Sequence, residues 1–232
     1  IHLDRPAEAF DELRTLFQRQ RTASIYLELR DAAQAVGRWE ALYPQLTAEM
    51  QEHVLAGIRP EGYAVSLLLE AGLLGYAHLL EGDWQQAVEW ALNPAVPAGW
   101  RKDDLTRTVT TGLLRMALAT RGVPGDDVLT EELHDAPEVI REHGDRLEPV
   151  ARSLPAESLL DSAVRLYERL VERAIGGKDR SSYAVAGAYC KVIRSIRRLQ
   201  GRESDFERYY QGLFATYSRY SALKDELRKA VG

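Results

Sequence analysis

Apolar residues recur at spacings of three and four along almost the whole of this 232-residue chain. No Val/Ile/Thr-rich run alternates with polar residues between turn signals. Spacings of three and four put side chains on one face of a helix, whereas a half-buried strand needs a spacing of two. The chain is therefore expected to be all-α. Glycine punctuates the pattern: "AVGRW", "LEGDW" and "LQGRE" each place one just past a periodic run, where a left-handed backbone ends a helix at least cost.

The stripes can be followed in order. Phe10, Leu13 and Phe17 form the first, behind Asp4 as a cap and Pro6 in the first turn. Ile25, Leu29, Ala32, Ala33 and Val36 form the second, closed by Gly37. Trp39, Leu42, Leu46, Met50 and Val54 form the third, which Pro44 is expected to kink or split because it removes a hydrogen-bond donor. After a break at "IRPEG", an apolar helix runs to Leu80. Gly82 then turns the chain, Asp83 is placed to cap, and "WQQAVEWAL" returns until Asn93 and Pro94 end it. Ala71, Gly72, Gly75 and Ala77 are small enough to let that returning helix approach through Trp84, Ala87 and Trp90 or Ala91. The Gly-x-Trp turn occurs at Gly37 and again at Gly82, 45 residues later, which is a degenerate tetratricopeptide-type signal.

Beyond the linker "AVPAGW", Asp103 or Asp104 can cap a helix over about 104–120 that ends near Gly122. Residues 126–154 read as short acidic helices around Leu129, Leu133, Val139, Ile140, Leu147 and Val150. Ser153 or Pro155 opens a longer helix with the stripe Leu160, Ala163, Val164, Tyr167, Leu170, Val171 and Ala174, closed by Gly176 and Gly177. Two final helices are expected. The first carries Ala186, Tyr189, Val192, Ile193, Ile196 and Leu199 on one side and Lys191, Arg194 and Arg198 on the other, with Cys190 and Arg197 at the edge of the stripe. The second starts at Ser204 or Asp205 and carries Phe206, Tyr210, Leu213, Tyr217 and Tyr220 as core.

Composition narrows the function classes. No apolar run approaches the roughly 20 residues that a membrane-spanning helix needs. A single cysteine cannot close an internal disulfide, which suits a reducing, cytoplasmic setting. The chain begins at Ile1 without a signal segment, so it is expected to be a piece of a longer protein. Net charge is -5 but unevenly placed: residues 178–232 hold 12 Lys+Arg against 6 Asp+Glu. A basic face on helices is ordinarily a solvated one, yet it can also meet a polyanion.

No catalytic, cofactor or metal motif emerges. His134 and His143 lie nine residues apart with a proline between them, a spacing that no metal motif uses. Glu131 and Glu132 would point about 100° apart on a helix, and Glu70 is the lone carboxylate of an apolar run, so neither supplies an acid/base pair. Cys190, beside an apolar stripe and far from any histidine, reads as a packed thiol. The surface that remains as a candidate interaction site is Lys191, Arg194 and Arg198.

A resemblance adds to this reading. After one helix closes, Arg180, Tyr183 and Ala186 form an Arg-x-x-Tyr-x-x-Ala start. Tyr189, Lys191, Ile193 and Arg194 follow, and Phe206, Tyr209, Leu213, Tyr217 and Arg219 complete the run. In these features residues 158–230 resemble the C-terminal helical region of bacterial SWIM zinc-finger proteins. The resemblance covers under a third of the chain. It implies a helical-repeat scaffold downstream of a zinc-binding module. The C-x-C and C-x-H elements of that module are absent here, so the resemblance carries over no zinc ligands and no metal-dependent activity.

Together these observations predict an all-α, right-handed superhelix of antiparallel, tetratricopeptide-like helical hairpins. Residues 1–95 would form N-terminal hairpins, 96–155 an irregular acidic middle, and 156–232 C-terminal hairpins, either as three units or as one continuous domain. The expected function is non-enzymatic and needs no cofactor: a scaffold for a protein partner, with an accessory nucleic-acid surface on the basic C-terminal helices as the alternative.

Overall fold

The structure, a computed structural model, describes residues 6–56, 65–93, 95 and 100–232. These are α-helical with short connections, and no strand occurs among them. The order is α1 (Pro6–Arg19), α2 (Ala23–Ala35), α3 (Trp39–Ala56), α4 (Val65–Leu80), α5 (Trp84–Leu92), α6 (Trp100–Arg121), α7 (Asp127–His134) and α8 (Glu138–His143). A 3-10 turn (Gly144–Arg146), α9 (Leu147–Ala151), α10 (Ala156–Gly176), α11 (Arg180–Leu199), α12 (Glu203–Thr216) and α13 (Ser221–Val231) complete it. The caps expected of Asp4 and Asp103 lie outside the residues whose side chains are described.

Four turns share one device. Gly37, Gly82, Gly122 and Gly201 all adopt a left-handed backbone, with φ between +62° and +80°. In each, the glycine N–H and the next N–H bond back to successive earlier carbonyls: Gly37 to Gln34 and Arg38 to Ala33, Gly82 to Leu79 and Asp83 to His78. Gly122 to Ala119 with Val123 to Leu118, and Gly201 to Arg198 with Arg202 to Arg197, repeat the arrangement. Carbonyls that a helix end leaves open are thereby satisfied within two residues, and the chain reverses.

The long helices pack in succession: α3 on α4, α4 on α6, α6 on α10, α10 on α11, and α11 on α13. α8 and α9 fill the flank of α4 and α6, while α7 bridges α6 and α11. One apolar core threads the stack, from Phe10 through Leu46, Leu79, Leu113, Leu166 and Ile196 to Leu227. The expected stripes supply most of it.

Several local expectations need correction. α3 runs unbroken through Pro44, which sits in its second turn, and the Tyr43 and Pro44 carbonyls accept from the Thr47 hydroxyl. α6 begins at Trp100, ahead of the expected cap. Asp83 occupies the cap position of α5, but its side chain makes no cap hydrogen bond. α12 starts at Glu203 rather than after Ser204 or Asp205. The region after Gly201 is two helices, divided at residues 217–220, so Tyr220 lies in a turn and is 38% exposed rather than core. The small residues of α4 serve two neighbours, of which only α5 was expected. A Cβ on Gly75 would lie 2.7 Å from Val109 Cγ2 and one on Gly72 3.2 Å from Thr108 Oγ1, so it is α6 that crosses closely there. α5 meets α4 through Trp90, whose Nε1 donates to the Ala71 carbonyl at 3.3 Å.

Candidate interaction site

The basic face predicted from sequence lies on α11 where α12 and α13 fold back. Lys191 is exposed. Arg194 is drawn inward: its Nη1 donates to the Val231 carbonyl at 2.6 Å, tying the end of α13 to the middle of α11, and its Nε donates to Glu203 Oε1 at 3.3 Å. Arg198 Nη2 donates to the same Glu203 oxygen at 3.1 Å. The two guanidinium groups hold the Glu203 carboxyl below its ordinary value. The structure therefore brings the three residues together but gives two of them an internal counter-charge. Charge is paired the same way around them: Arg197 and Arg202 converge on Asp161, Arg180 and Lys229 on Glu226, and Arg208 on Asp205.

The close approach of α13 to α11 rests on Gly187, where a Cβ would meet Ala230 Cβ at 2.8 Å and the Glu226 carbonyl oxygen at 3.2 Å. Cys190 is buried in this junction, and desolvation pushes its thiol up to about 12. A thiol held neutral in this way packs as a small hydrophobe. The aromatics of α12 form a ladder, Phe206 to Tyr210 to Phe214, with the Arg228 guanidinium 5.4 Å from the Phe214 ring. Only Phe206 and Leu213 on this helix are fully buried.

Two polar clusters that sequence reasoning missed lie inside the stack. Glu70 is 2% exposed, and its Oε2 is 2.6 Å from His53 Nδ1 while Arg21 Nε stands 3.0 Å from Oε1. Arg21 is close enough to pair but badly aligned, so among the described residues Oε1 accepts no hydrogen bond. Burial raises the Glu70 carboxyl, and the hydrogen bond with His53 and the charge of Arg21 oppose that rise without cancelling it. The signal was present in the sequence: a carboxylate inside an apolar run must find a cation or remain neutral. Which partner was not legible, because Arg21 lies in the connection between α1 and α2 and His53 on α3.

The second cluster surrounds Glu132 of α7. Tyr167 on α10, buried completely, donates its hydroxyl to Glu132 Oε1 at 3.0 Å. Arg107 on α6 donates Nη2 to the Asp135 carbonyl at 2.7 Å and stands 3.6 Å from Glu132 Oε1. Arg107 Nε is buried and donates to nothing among the described residues. Burial raises the Glu132 carboxyl against the pull of Arg107 and Tyr167. Glu131, its neighbour in sequence, is exposed, so the two carboxylates do not act together.

His134 is exposed, and His143 is half-buried with its carbonyl accepting from Tyr76 Oη at 2.9 Å. No group of three or more His, Cys, Asp or Glu side chains among the described residues is placed to hold a metal ion. Among the same residues no helix is long and apolar enough to cross a membrane.

Comparison with known proteins finds a partial match. A stretch of 69 residues, 30% of this chain, is 36% identical to "Uncharacterized protein YwqB" of Bacillus subtilis (strain 168) and covers 13% of that protein. The chain thus matches a small part of the length of that relative. No family model matches the chain. No solved structure matches it.

Proposed function

We propose that this chain is a non-catalytic, tetratricopeptide-like superhelix of antiparallel hairpins that holds protein partners within a larger, SWIM zinc-finger-containing protein. The observation that carries this reading is the order of packing. Each long helix from α3 onward rests on the next long one, with the short helices α5, α7, α8 and α9 gathered around α6. A stack of that kind leaves extended flanks, which suits the capture of another polypeptide. The resemblance of residues 158–230 to the SWIM-protein C-terminus supplies the context. The test compares partners cross-linked to the full-length parent with those cross-linked to the parent lacking residues 1–232. The reading predicts loss of specific partners, and an unchanged set overturns it. Absence of C-x-C and C-x-H elements from the parent chain would overturn the SWIM assignment alone.

A nucleic-acid surface on α11 is the weaker reading, because Arg194 and Arg198 already share Glu203. Salt-dependent RNA binding that falls on Lys191→Glu with Arg198→Glu would favour it; no binding at low salt would remove it.

A further inference from the structure

α7 lies across the middle of the stack and is held there by little. It has eight residues and fully buries one side chain, Leu129. A helix this short has no stability of its own in water, so it stays folded only while docked. Gly122 with a left-handed backbone, Pro124 and Gly125 precede it, and Asp135, Ala136 and Pro137 follow it. Open clefts border it on two sides. One of about 480 Å³ is lined by Leu118, Ala119, Val123 and Leu133 with Arg115 and Glu148. The other, of about 360 Å³, lies between Pro124 and Leu129 and the α11 residues Ser195, Arg198 and Leu199. Val123, between the two clefts, is a large apolar side chain left 40% exposed.

The fit beneath α7 is incomplete. Leu129 fills an apolar site and Glu132 reaches Tyr167, but among the described residues the Arg107 guanidinium meets a backbone carbonyl and a carboxylate oxygen at 3.6 Å, with no acceptor at its buried Nε. A buried cationic donor without an acceptor is costly, and a carboxylate that met Nε and Nη2 together would form the stronger two-point pair. α7 cannot supply that pair, because the Asp135 carbonyl takes Nη2. An incoming helix that displaced α7 would remove the carbonyl and free Nη2.

We propose that α6, α10 and α11 form a docking groove for a partner's amphipathic helix, and that α7 is a displaceable internal occupant of it. The groove accepts a helix with a leucine in the place of Leu129 and, one turn later, a carboxylate that pairs with Arg107 and Tyr167. The chain's own "VLTEELHD" displays the first two of these features, which is why it can sit there at all. While α7 is docked, partner affinity is reduced by the fraction of molecules in which the groove is closed. This inference rests on the scaffold reading and names where on the scaffold a partner binds.

The test uses a fluorescein-labelled peptide of residues 124–137 as the probe, titrated by anisotropy against the intact chain and against Leu129→Ser with Glu132→Gln. The lid-weakened chain is expected to bind the peptide at least about tenfold more tightly than the wild type, and to lose that binding on further Arg107→Ala. Equal affinity for both chains, or binding indifferent to Arg107→Ala, overturns the proposal. Native-state hydrogen exchange on the wild type guards against a variant that fails to fold. Amides of α7 are expected to exchange about a hundredfold faster than those of α10, with little dependence on denaturant. Exchange of α7 only through global unfolding overturns the proposal. Either failure leaves the partner-capture test of the scaffold reading unaffected.

Discussion

α4 and α7 both lie against α6, one through its backbone and the other through the tips of two side chains. At the α4–α6 crossing glycine appears on both sides: Gly72 and Gly75 receive Thr108 and Val109, and Gly112 receives Leu79, whose Cδ1 would stand 2.4 Å from an added Cβ. The helices are then so close that dispersion contacts run along the whole crossing, and no local opening can separate them without disturbing the core. At α7 the contact is carried by Leu129 and by hydrogen bonds from Tyr167 and Arg107. Such a contact can break by itself. Two helices bounded by similar glycine turns therefore differ in cooperativity: α4 belongs to the fold, and α7 is attached to it.

The largest expected effect is at the tight crossing. Gly75→Val should destabilise the whole chain by about 2–3 kcal/mol, because the β-branched side chain meets Val109 where neither helix can retreat. Denaturant unfolding followed by circular dichroism measures it; an unchanged midpoint would mean that α6 is free to slide. Leu129→Ala removes comparable apolar contact, about 2 kcal/mol, but from α7 alone. Its loss should register as faster exchange of α7 amides while the global midpoint moves little. A matching fall in the midpoint would erase the distinction between the two helices. Tyr167→Phe leaves the Glu132 oxygen without its donor and should weaken α7 by about 1–2 kcal/mol, read by the same exchange experiment.

Acid should move the two regions in opposite directions. Burial raises Glu132 above its ordinary 4.5, so as pH climbs past that value the unfolded chain has released a proton that the folded one still holds. Stability contributed at α7 is therefore present at low pH and lost as pH rises through the folded value. Burial lowers His78 on α4 below 6.5, where its Nδ1 lies 2.9 Å from Tyr43 Oη. There the unfolded chain takes up the proton first, so stability is present above 6.5 and lost as pH falls through the folded value. Nuclear magnetic resonance titration of the α7 and α4 amides between these limits, repeated in Glu132→Gln and His78→Gln, tests both signs. The smallest expected effect is at the surface: Arg198→Ala should change stability by no more than about 0.5 kcal/mol, since Glu203 keeps Arg194 and the pair is solvated.

Much of the local structure was legible. The stripes at Phe10 to Phe17, Trp39 to Val54 and Leu160 to Val171 are buried as their spacing requires, and the turns at Gly37, Gly82 and Gly201 fall where glycine permits a left-handed backbone. The small residues of α4 were equally visible, but only one of their two neighbours was. The returning helix α5 is next in sequence, whereas α6, which takes the glycine contacts, starts beyond a linker and is more than twice as long as α5, giving it more apolar surface to bury. Of the predicted site, Lys191, Arg194 and Arg198 do lie together on α11, but the wheel could not show α13 ending over Arg194. The Glu132 cluster was invisible for a related reason. Tyr167 read as ordinary core and Arg107 belongs to no motif, and only the seat of α7 between α6 and α11 makes them a pair.

What the sequence alone determined follows from rules that act within about one helical turn: apolar spacing of three and four chooses helix, and glycine chooses where it stops. What the tertiary structure decided is which faces meet. Glu70 finding Arg21 and His53, Gly75 receiving Val109, and Glu132 reaching Tyr167 join residues 17 to 49 positions apart. Many helix faces are apolar enough to pack on many others. The choice among them rests on shape at close range, on a missing Cβ or a reachable guanidinium, and that information exists only once the helices are side by side.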